Sequence, residues 1–108
     1  MPIAADLRQE ENCHFVVETT IKTYGRLDIL VNNHGVQFHQ NNIMDITKEQ
    51  LMNIFQTNFI SFFDMTKAAL PHLRAGSSII NTTSDTAFSG MANIVVEIPL
   101  IHVQNLLN

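Results

Sequence analysis

The sequence predicts an α/β domain with a parallel sheet, and two observations lead to this fold class. Segments in which apolar residues recur at a helical period alternate with short runs rich in β-branched residues. Each of these runs ends in polar residues that favour turns. The order helix, strand, helix, strand is typical of parallel strands joined by right-handed crossovers. The chain has 108 residues, enough for one modest domain.

The first predicted element is a helix from about Gln9 to Tyr24. Its apolar and small residues recur on one helical face at Cys13, Val16, Val17, Thr20, Ile21 and Tyr24. Gly25 follows these residues and is typical of a helix end in the left-handed conformation.

The first predicted strand, Leu27–Asn32, is apolar over nearly its whole length. Such runs are typical of strands that are buried on both faces of a parallel sheet. The polar turn Asn32–Gly35 ends the strand. Because open α/β sheets bind ligands at the carboxyl ends of their strands, this turn is a predicted binding region.

The second predicted helix begins at a capping box, with Thr47 as the N-cap and Gln50 as the N3 residue. It covers about residues 48–70, and Pro71 is expected to end or kink it. Apolar side chains occupy more than one side of this helix, so we expect two different surfaces to cover it. One is the sheet, and the other is a second subunit of a homo-oligomer that associates through helix 48–70.

The second predicted strand is Ser78–Ser84, which ends in small hydroxyl residues. A weaker strand is predicted at Ile94–Ile98, where Pro99 interrupts the apolar run. The remaining residues, 100–108, show no convincing period.

Composition and charge argue against several classes of function. Ten acidic residues against six basic ones give a formal charge of −4, which argues against nucleic-acid binding. No apolar run approaches the length of a membrane-spanning helix, and the N-terminus lacks the pattern of a secretory signal. Cys13 is the one cysteine, so an internal disulfide is excluded and a cytoplasmic location is expected.

Three polar features are candidates for a functional site, and each has a structural alternative. Asn58 is an amide within an apolar helical stripe, where a hydrogen bond to a neighbouring strand or loop would also explain it. The turn Asn32–Gly35, and Ser84 at the end of the second strand, are also consistent with ordinary turns. Because parallel strand ends lie side by side, the three features together predict a pocket lined by amide and hydroxyl groups.

Several segments resemble the family of short-chain dehydrogenases/reductases. The segment Gly25–Gly35, with the sequence GRLDILVNNHG, is similar to the family's GRLDILVNNAG. Further similarity lies in Gln56–Asn58, Thr66–Pro71 and Ser78–Ser84, and the resemblance as a whole covers about Ile3 to Gly90.

The resemblance implies a partial Rossmann-like, doubly wound parallel sheet. Such a sheet would lack the family's N-terminal strands and its C-terminal catalytic helix. Residues 1–90 would form the central part of the family's domain, and residues 91–108 would form a divergent tail.

The resemblance also implies an NAD(P)-dependent oxidoreductase that acts on a small-molecule alcohol or carbonyl. Asp6 and Leu7 match a pair of residues that sits against the adenine of the cofactor. Asn33, His34 and Gly35 match the turn that lines the adenosine side of the cofactor. His34 replaces a small alanine of the family, and its imidazole is expected to crowd the adenosine ribose.

Two further residues match catalytic positions of the family. Asn58 matches an Asn that helps to hold a water molecule in a proton relay. Ser84 matches a Ser that forms a hydrogen bond with the substrate oxygen. The family completes this site with a Tyr as general acid/base and, one helical turn later, a Lys that lowers the Tyr pKa.

The chain departs from the family pattern at important positions. Its four glycines form no phosphate-binding cluster. The resemblance implies the Tyr about 13 residues after Ser84, where the chain has Glu97, and Ile101 stands in place of the Lys. His34 and His39 are an alternative metal site, but no Cys or carboxylate lies at ligand spacing, so no metal is expected.

These departures lead to three hypotheses for function. In the first, the chain is an oxidoreductase that is truncated and inactive as written, because the acid/base residue and the cofactor loop are missing. In the second, it is a non-catalytic fragment that associates with intact relatives through its Phe-rich helix, which contains Phe55, Phe59, Phe62 and Phe63. In the third, the chain is a gene remnant without function. A reading-frame change near Gly90 and a start codon internal to a longer gene are our hypothesis for the missing segments, and deliberate truncation or an erroneous gene prediction would give the same sequence.

Overall fold

The computed structural model of the chain describes residues 1–84. Its helices are α1 (Glu10–Tyr24), α2 (Lys48–Phe55) and α3 (Ser61–Ala69), and its strands are β1 (Ile29–Asn32) and β2 (Ser78–Asn81). A π-helical turn, Gln56–Ile60, joins α2 to α3, and short 3-10 helices lie at Ile43–Asp45 and Leu70–His72. The predicted strand Ile94–Ile98, the positions Glu97 and Ile101, and the tail 91–108 lie outside the described residues.

The two strands pair in parallel, as the order of elements predicts. Ile29 lies opposite Ser78, and Asn32 lies opposite Asn81. The ladder continues past the strand end, where the Thr82 N–H donates to the Asn32 carbonyl oxygen at 2.9 Å. Both strands therefore deliver their following loops to one edge of the sheet.

Helix α1 begins one residue after the predicted start and ends at the predicted residue. Glu10 and Glu11 occupy its first turn, where carboxylates favour the helix dipole. Gly25 adopts a φ of 79°, and its N–H donates to the Ile21 carbonyl oxygen at 2.8 Å. This left-handed end is the conformation for which glycine carries the smallest steric cost.

The capping box of the second predicted helix is confirmed. The Thr47 hydroxyl accepts from the Gln50 N–H at 3.1 Å, and the Gln50 side chain accepts from the Thr47 N–H at 3.2 Å. The helix then continues to Ala69, except that the π-helical turn interrupts it, which the sequence did not predict. Pro71 lies in the 3-10 turn that ends it.

One face of the sheet carries the core. Helices α1 and α3 pack together over it, and their buried residues join those of β1 and the loop after α3 in one cluster: Cys13, Val17, Leu30, Met65, Ala68, Ala69 and Leu73. From β2, Ile79 is partly buried against this cluster. The core therefore lies between the helical layer and a single face of the sheet.

The other face of β1 differs from the expectation of a strand buried on both sides. Leu30 and Asn32 are 7% and 1% exposed, whereas Ile29 and Val31 are 59% and 54% exposed. Within residues 1–84, α1 and α3 cover the face to which Leu30 belongs, and the opposite face has no cover. The apolar run at β1 was correctly predicted to be a strand, but the prediction of two-sided burial is wrong for the described residues.

Candidate functional site

The loops that follow the two strands enclose a cleft at the carboxyl edge of the sheet. Residues 33–37 line one wall, residues 82–84 line another, and Asn58 and Phe62 complete it. Its volume is about 360 Å³, within the range of small-molecule sites. The structure thus brings the predicted turn, Asn58 and Ser84 to one place, and we call this space the Ser84 cleft.

Asn58 joins the helix to the loop after β1. Its Oδ1 accepts from the Val36 N–H at 2.8 Å, and its Nδ2 donates to the Val36 carbonyl oxygen at 2.8 Å. The side chain therefore pairs with both main-chain groups of one residue, as a neighbouring strand would. The π-helical turn carries Asn58, and such turns are frequent at functional sites.

Gly35 allows this close approach of the loop to Asn58. A Cβ at this position would lie 3.3 Å from the Asn58 Oδ1, which is tighter than an ordinary contact. A larger residue at this position would require the Asn58 side chain or the loop to shift by a few tenths of an ångström.

A second cleft, of about 410 Å³, shares part of the same loop. Asp6 and Leu7 line it, together with His34, Gly35 and Val36. We call it the Asp6 cleft. Because His34, Gly35 and Val36 border both spaces, the two clefts meet at this segment, and all of the predicted cofactor residues line one or the other.

Asp6 is a fixed anion at the rim of its cleft. Arg8 donates to its carboxylate from Nε at 2.9 Å and from Nη2 at 2.7 Å. The Arg8 N–H adds a further bond at 3.1 Å. These hydrogen bonds, the side-chain ones above all, lower the pKa of Asp6 to about 2, so the carboxylate is charged at neutral pH.

His34 is held in place by two residues of the helical layer. Its Nε2 lies 2.6 Å from the Ser61 Oγ, and its ring packs on Phe62 with centroids 4.7 Å apart. Burial lowers the pKa of His34, because a charged imidazole is poorly solvated there. The sequence singled out His34 as a departure but gave no signal for Ser61, which lies 27 residues away.

A pair of asparagines lies at the carboxyl ends of the two strands, directly before the loops that line the Ser84 cleft. Asn32 is 1% exposed, and its Nδ2 donates to the Asn81 Oδ1 at 2.9 Å. Its Oδ1 has no hydrogen-bond partner among the described residues. The second strand was predicted to continue to Ser84, whereas β2 ends at Asn81, and only the register shows that Asn32 and Asn81 meet.

Two further observations concern other classes of site. Residues 1–84 contain no group of three or more His, Cys, Asp or Glu side chains placed to hold a metal ion. In the same part of the chain, no helix has the length and apolar character needed to cross a membrane.

The two clefts have the size and the polar groups of small-molecule sites, but no phosphate-binding loop of glycines borders them among the described residues. Each cleft has the volume of a small-molecule site and offers hydrogen-bonding groups at its wall. Among the described glycines, Gly25 and Gly76 have positive φ, but both lie in turns remote from the start of a helix. The described residues therefore provide no glycine-rich phosphate loop.

Comparison with protein families and curated sequences gives the following relatives. A family model described as enoyl-(acyl carrier protein) reductase matches residues 1–97. The "Uncharacterized oxidoreductase YhdF" of Bacillus subtilis is 50% identical over 88 residues, which cover 82% of this chain and 30% of that protein. The "NADPH-dependent aldehyde reductase 1, chloroplastic" of Arabidopsis thaliana is 42% identical over 93 residues, covering 86% of this chain and 32% of that protein.

Solved structures show the same architecture. A short-chain dehydrogenase from Burkholderia cenocepacia in complex with NADP superposes with a TM-score of 0.79 at 27% identity, over 85% of this chain and 37% of that one. A 3-ketoacyl-(acyl-carrier-protein) reductase from Brucella melitensis complexed with NADH gives 0.78 at 27% identity, over 85% and 40%.

The parallel strands, the helical layer and the clefts at the carboxyl edge define an α/β protein with a partial Rossmann-like sheet. The fold gives only this class, whereas the similarity of sequence identifies a family within it. The chain belongs to the short-chain dehydrogenase/reductase family. It spans about a third of the length of the curated relatives that it matches.

Proposed function

We propose that the chain is the central part of a nicotinamide-dependent oxidoreductase that interconverts an alcohol and a carbonyl compound. The observation that carries this proposal is the meeting of two clefts at one loop. The predicted cofactor residues lie around the Asp6 cleft, and the predicted catalytic residues lie around the Ser84 cleft. A ligand with two nucleoside ends, NAD or NADP, would extend from one cleft to the other.

In this proposal, Asp6 and Leu7 bound the adenine, and residues 33–35 line the adenosine. The nicotinamide, when bound, supplies or accepts the hydride. The Ser84 hydroxyl forms a hydrogen bond with the oxygen of the alcohol or carbonyl. Asn58 supports the site by fixing the Val36 main chain, because both polar atoms of its side chain are engaged there.

We also propose that the isolated chain has negligible dehydrogenase activity. Tyr24 is the one tyrosine of the sequence. It lies at the end of α1, its hydroxyl oxygen is 3.1 Å from the Met1 amino group, and it is not among the residues that line the Ser84 cleft. No phenol is therefore available to exchange a proton with the substrate oxygen in the Ser84 cleft.

A titration of the purified chain with NAD⁺ and NADPH tests the cofactor proposal. We expect weak binding, with amide chemical-shift changes at Asp6, Gly35 and Val36, and no substrate-dependent change in nicotinamide absorbance. If neither NAD⁺ nor NADPH binds, the proposed cofactor site is contradicted. Substrate-dependent turnover would contradict the proposed inactivity.

Sequencing the DNA on both sides of the coding region tests the wider oxidoreductase proposal. We expect a glycine-rich strand-turn-helix upstream and, in a shifted frame after Gly90, a Tyr followed one helical turn later by a Lys. If neither is encoded, the catalytic proposal fails. Activity is then to be sought only through association with other chains.

A second candidate function, association with intact relatives or with itself, is favoured by the outer side of α3. Phe63 is 63% exposed there, and Phe55 is also exposed at the end of α2. We propose this surface as the contact for a homo-oligomer through helix 48–70. Phe59→Glu with Phe63→Glu is expected to abolish co-elution, whereas Phe15→Glu, on an exposed position of α1, serves as the control. Unchanged co-elution of the double variant would contradict the surface.

The cellular location is proposed from the sequence. A buried free thiol, Cys13, is compatible with a reducing compartment such as the cytoplasm. Fractionation of cells that express the tagged chain is expected to recover it with cytoplasmic proteins.

A further inference from the structure

His34 stands where the two clefts meet, and the function proposed above gives its side chain no role beyond lining the adenosine. The residue borders both spaces, and the resemblance gives it no polar role because the family has alanine there. We propose that His34 is a specificity-determining residue that accepts a hydrogen bond from a ribose hydroxyl, with Ser61 fixing the tautomer that makes this possible. This inference rests on the proposed nucleotide site.

The hydrogen-bond pattern around Ser61 determines which nitrogen of His34 carries the proton. A serine hydroxyl has one hydrogen, and that of Ser61 is directed at the Thr57 carbonyl oxygen. The Ser61 Oγ therefore acts as the acceptor toward His34, and the His34 Nε2 must donate. In a neutral imidazole, the second nitrogen, Nδ1, is then an acceptor.

This acceptor is available to a ligand. Among the described residues, no hydrogen bond reaches the His34 Nδ1, whereas the other side of the ring is held by Ser61 and Phe62. A fixed acceptor selects groups that can donate, so it favours a hydroxyl over an ionised phosphate. Asp6 provides a second set of acceptor atoms at the same cleft, where its charge is balanced by the guanidinium of Arg8.

Two amide substitutions separate the ligand contact from the structural contact. His34→Gln places an amide at the distance of Nε2, where it can still donate to Ser61, but it provides no acceptor in place of Nδ1. His34→Asn places an amide oxygen near the position of Nδ1 and loses the contact with Ser61. Thermal unfolding and the amide spectrum establish that each variant retains the fold.

The experiment compares adenosine with 2′,3′-dideoxyadenosine in titrations of the full chain followed by amide chemical shifts. The wild type is expected to bind adenosine about twofold to tenfold more tightly, which corresponds to one net hydrogen bond. His34→Gln is expected to lose this preference, and His34→Asn to retain part of it. The nitrogen chemical shifts of the free protein are expected to show a protonated Nε2 and an unprotonated Nδ1, and Ser61→Ala to mix the two tautomers.

Each other outcome overturns the inference in a recognisable way. A hydroxyl preference that persists in His34→Gln means that another group recognises the ribose. Tighter adenosine binding by His34→Ala means that the imidazole obstructs the ribose, as its bulk alone suggests. Binding of NAD⁺ without any hydroxyl preference removes the role of His34 and leaves the proposed function intact. Failure to bind both NAD⁺ and adenosine overturns the nucleotide site together with this inference.

Discussion

The two faces of the sheet consist of the same two strands, yet they differ in what covers them. On one face, Leu30 and Ile79 pack against the cluster formed by α1 and α3. On the other, Ile29, Val31 and Ile80 are more than half exposed. The side chains are similarly apolar on both, so composition does not distinguish the faces. The helical layer alone determines which of them is a core within residues 1–84.

The largest difference between the faces is expected from truncating neighbouring residues of β1. Leu30→Ala removes a buried side chain and is expected to lower the free energy of unfolding by about 2–5 kcal/mol. Val31→Ala, one residue further along the same strand, is expected to change it by less than about 0.5 kcal/mol. Urea unfolding followed by circular dichroism measures both. Equal losses would show that Val31 is covered in solution.

A smaller loss in the free energy of unfolding is expected at the carboxyl edge of the sheet, where Asn58 holds the loop after β1. Asn58→Ala leaves the N–H and carbonyl groups of Val36 without their partner and is expected to lower the free energy of unfolding by about 1–3 kcal/mol. The Val36 amide should also exchange with solvent faster than in the wild type. Asn53→Ala is the control, since Asn53 accepts a single side-chain bond from Thr57. An unchanged exchange rate at Val36 would contradict the role of Asn58.

On the covered side, Asp64 is expected to make stability depend on pH. Burial raises the pKa of this carboxyl, the charge of Glu10 raises it further, and Lys67 and His14 oppose the shift. The folded state therefore binds the proton more tightly than the unfolded state does. This preference contributes stability to the folded state below the ordinary carboxyl pKa. The contribution is lost as the pH rises through the raised pKa of Asp64 in the folded state.

Asp64→Asn removes this loss, so the variant is expected to unfold at a higher temperature than the wild type at neutral pH. The difference should shrink in acid. Asp28→Asn provides a control of opposite sign, because hydrogen bonds from Arg26 lower the pKa of Asp28. Thermal unfolding across a pH series distinguishes the two, and parallel curves for wild type and Asp64→Asn would refute the assignment.

The smallest effect on stability, within about 0.5 kcal/mol, is expected from a charge on the uncovered face. Val31→Lys places an ammonium group on an apolar surface that would otherwise favour association. We expect this variant to be more soluble and its elution in size-exclusion chromatography to be unchanged, because the proposed homo-oligomer contact lies on α3. Comparison with Phe63→Glu shows whether the sheet or α3 forms the contact, and identical elution of all three proteins would exclude both.

Much of the fold was predictable because its signals are local. The capping box at Thr47 and the glycine stop at Gly25 depend on residues within one turn, and both were predicted correctly. The burial of β1 was not, because an apolar run does not indicate what lies against each face. The π-helical turn was also missed, because apolar residues occupy more than one side of helix 48–70 and a shift in the phase of a single apolar face is therefore not visible in the sequence.

The candidate site was predictable to a similar degree. That the turn after β1, Asn58 and Ser84 lie around one cleft follows from the carboxyl-end rule and from the resemblance. The pair formed by His34 and Ser61 depends on how the loop packs against α3. No spacing in the sequence encodes that contact.

The π-helical turn also constrains the number of residues between α2 and α3. An α-helix turns by about 100° per residue, so one additional residue shifts the phase of everything before it relative to α3 by about that angle. Deletion of a single residue from Gln56–Ile60 would restore a uniform helix, but either Ile54 or Asn58 would then rotate away from its present neighbours. The number of residues between α2 and α3 is therefore as much a determinant of the site as their identity.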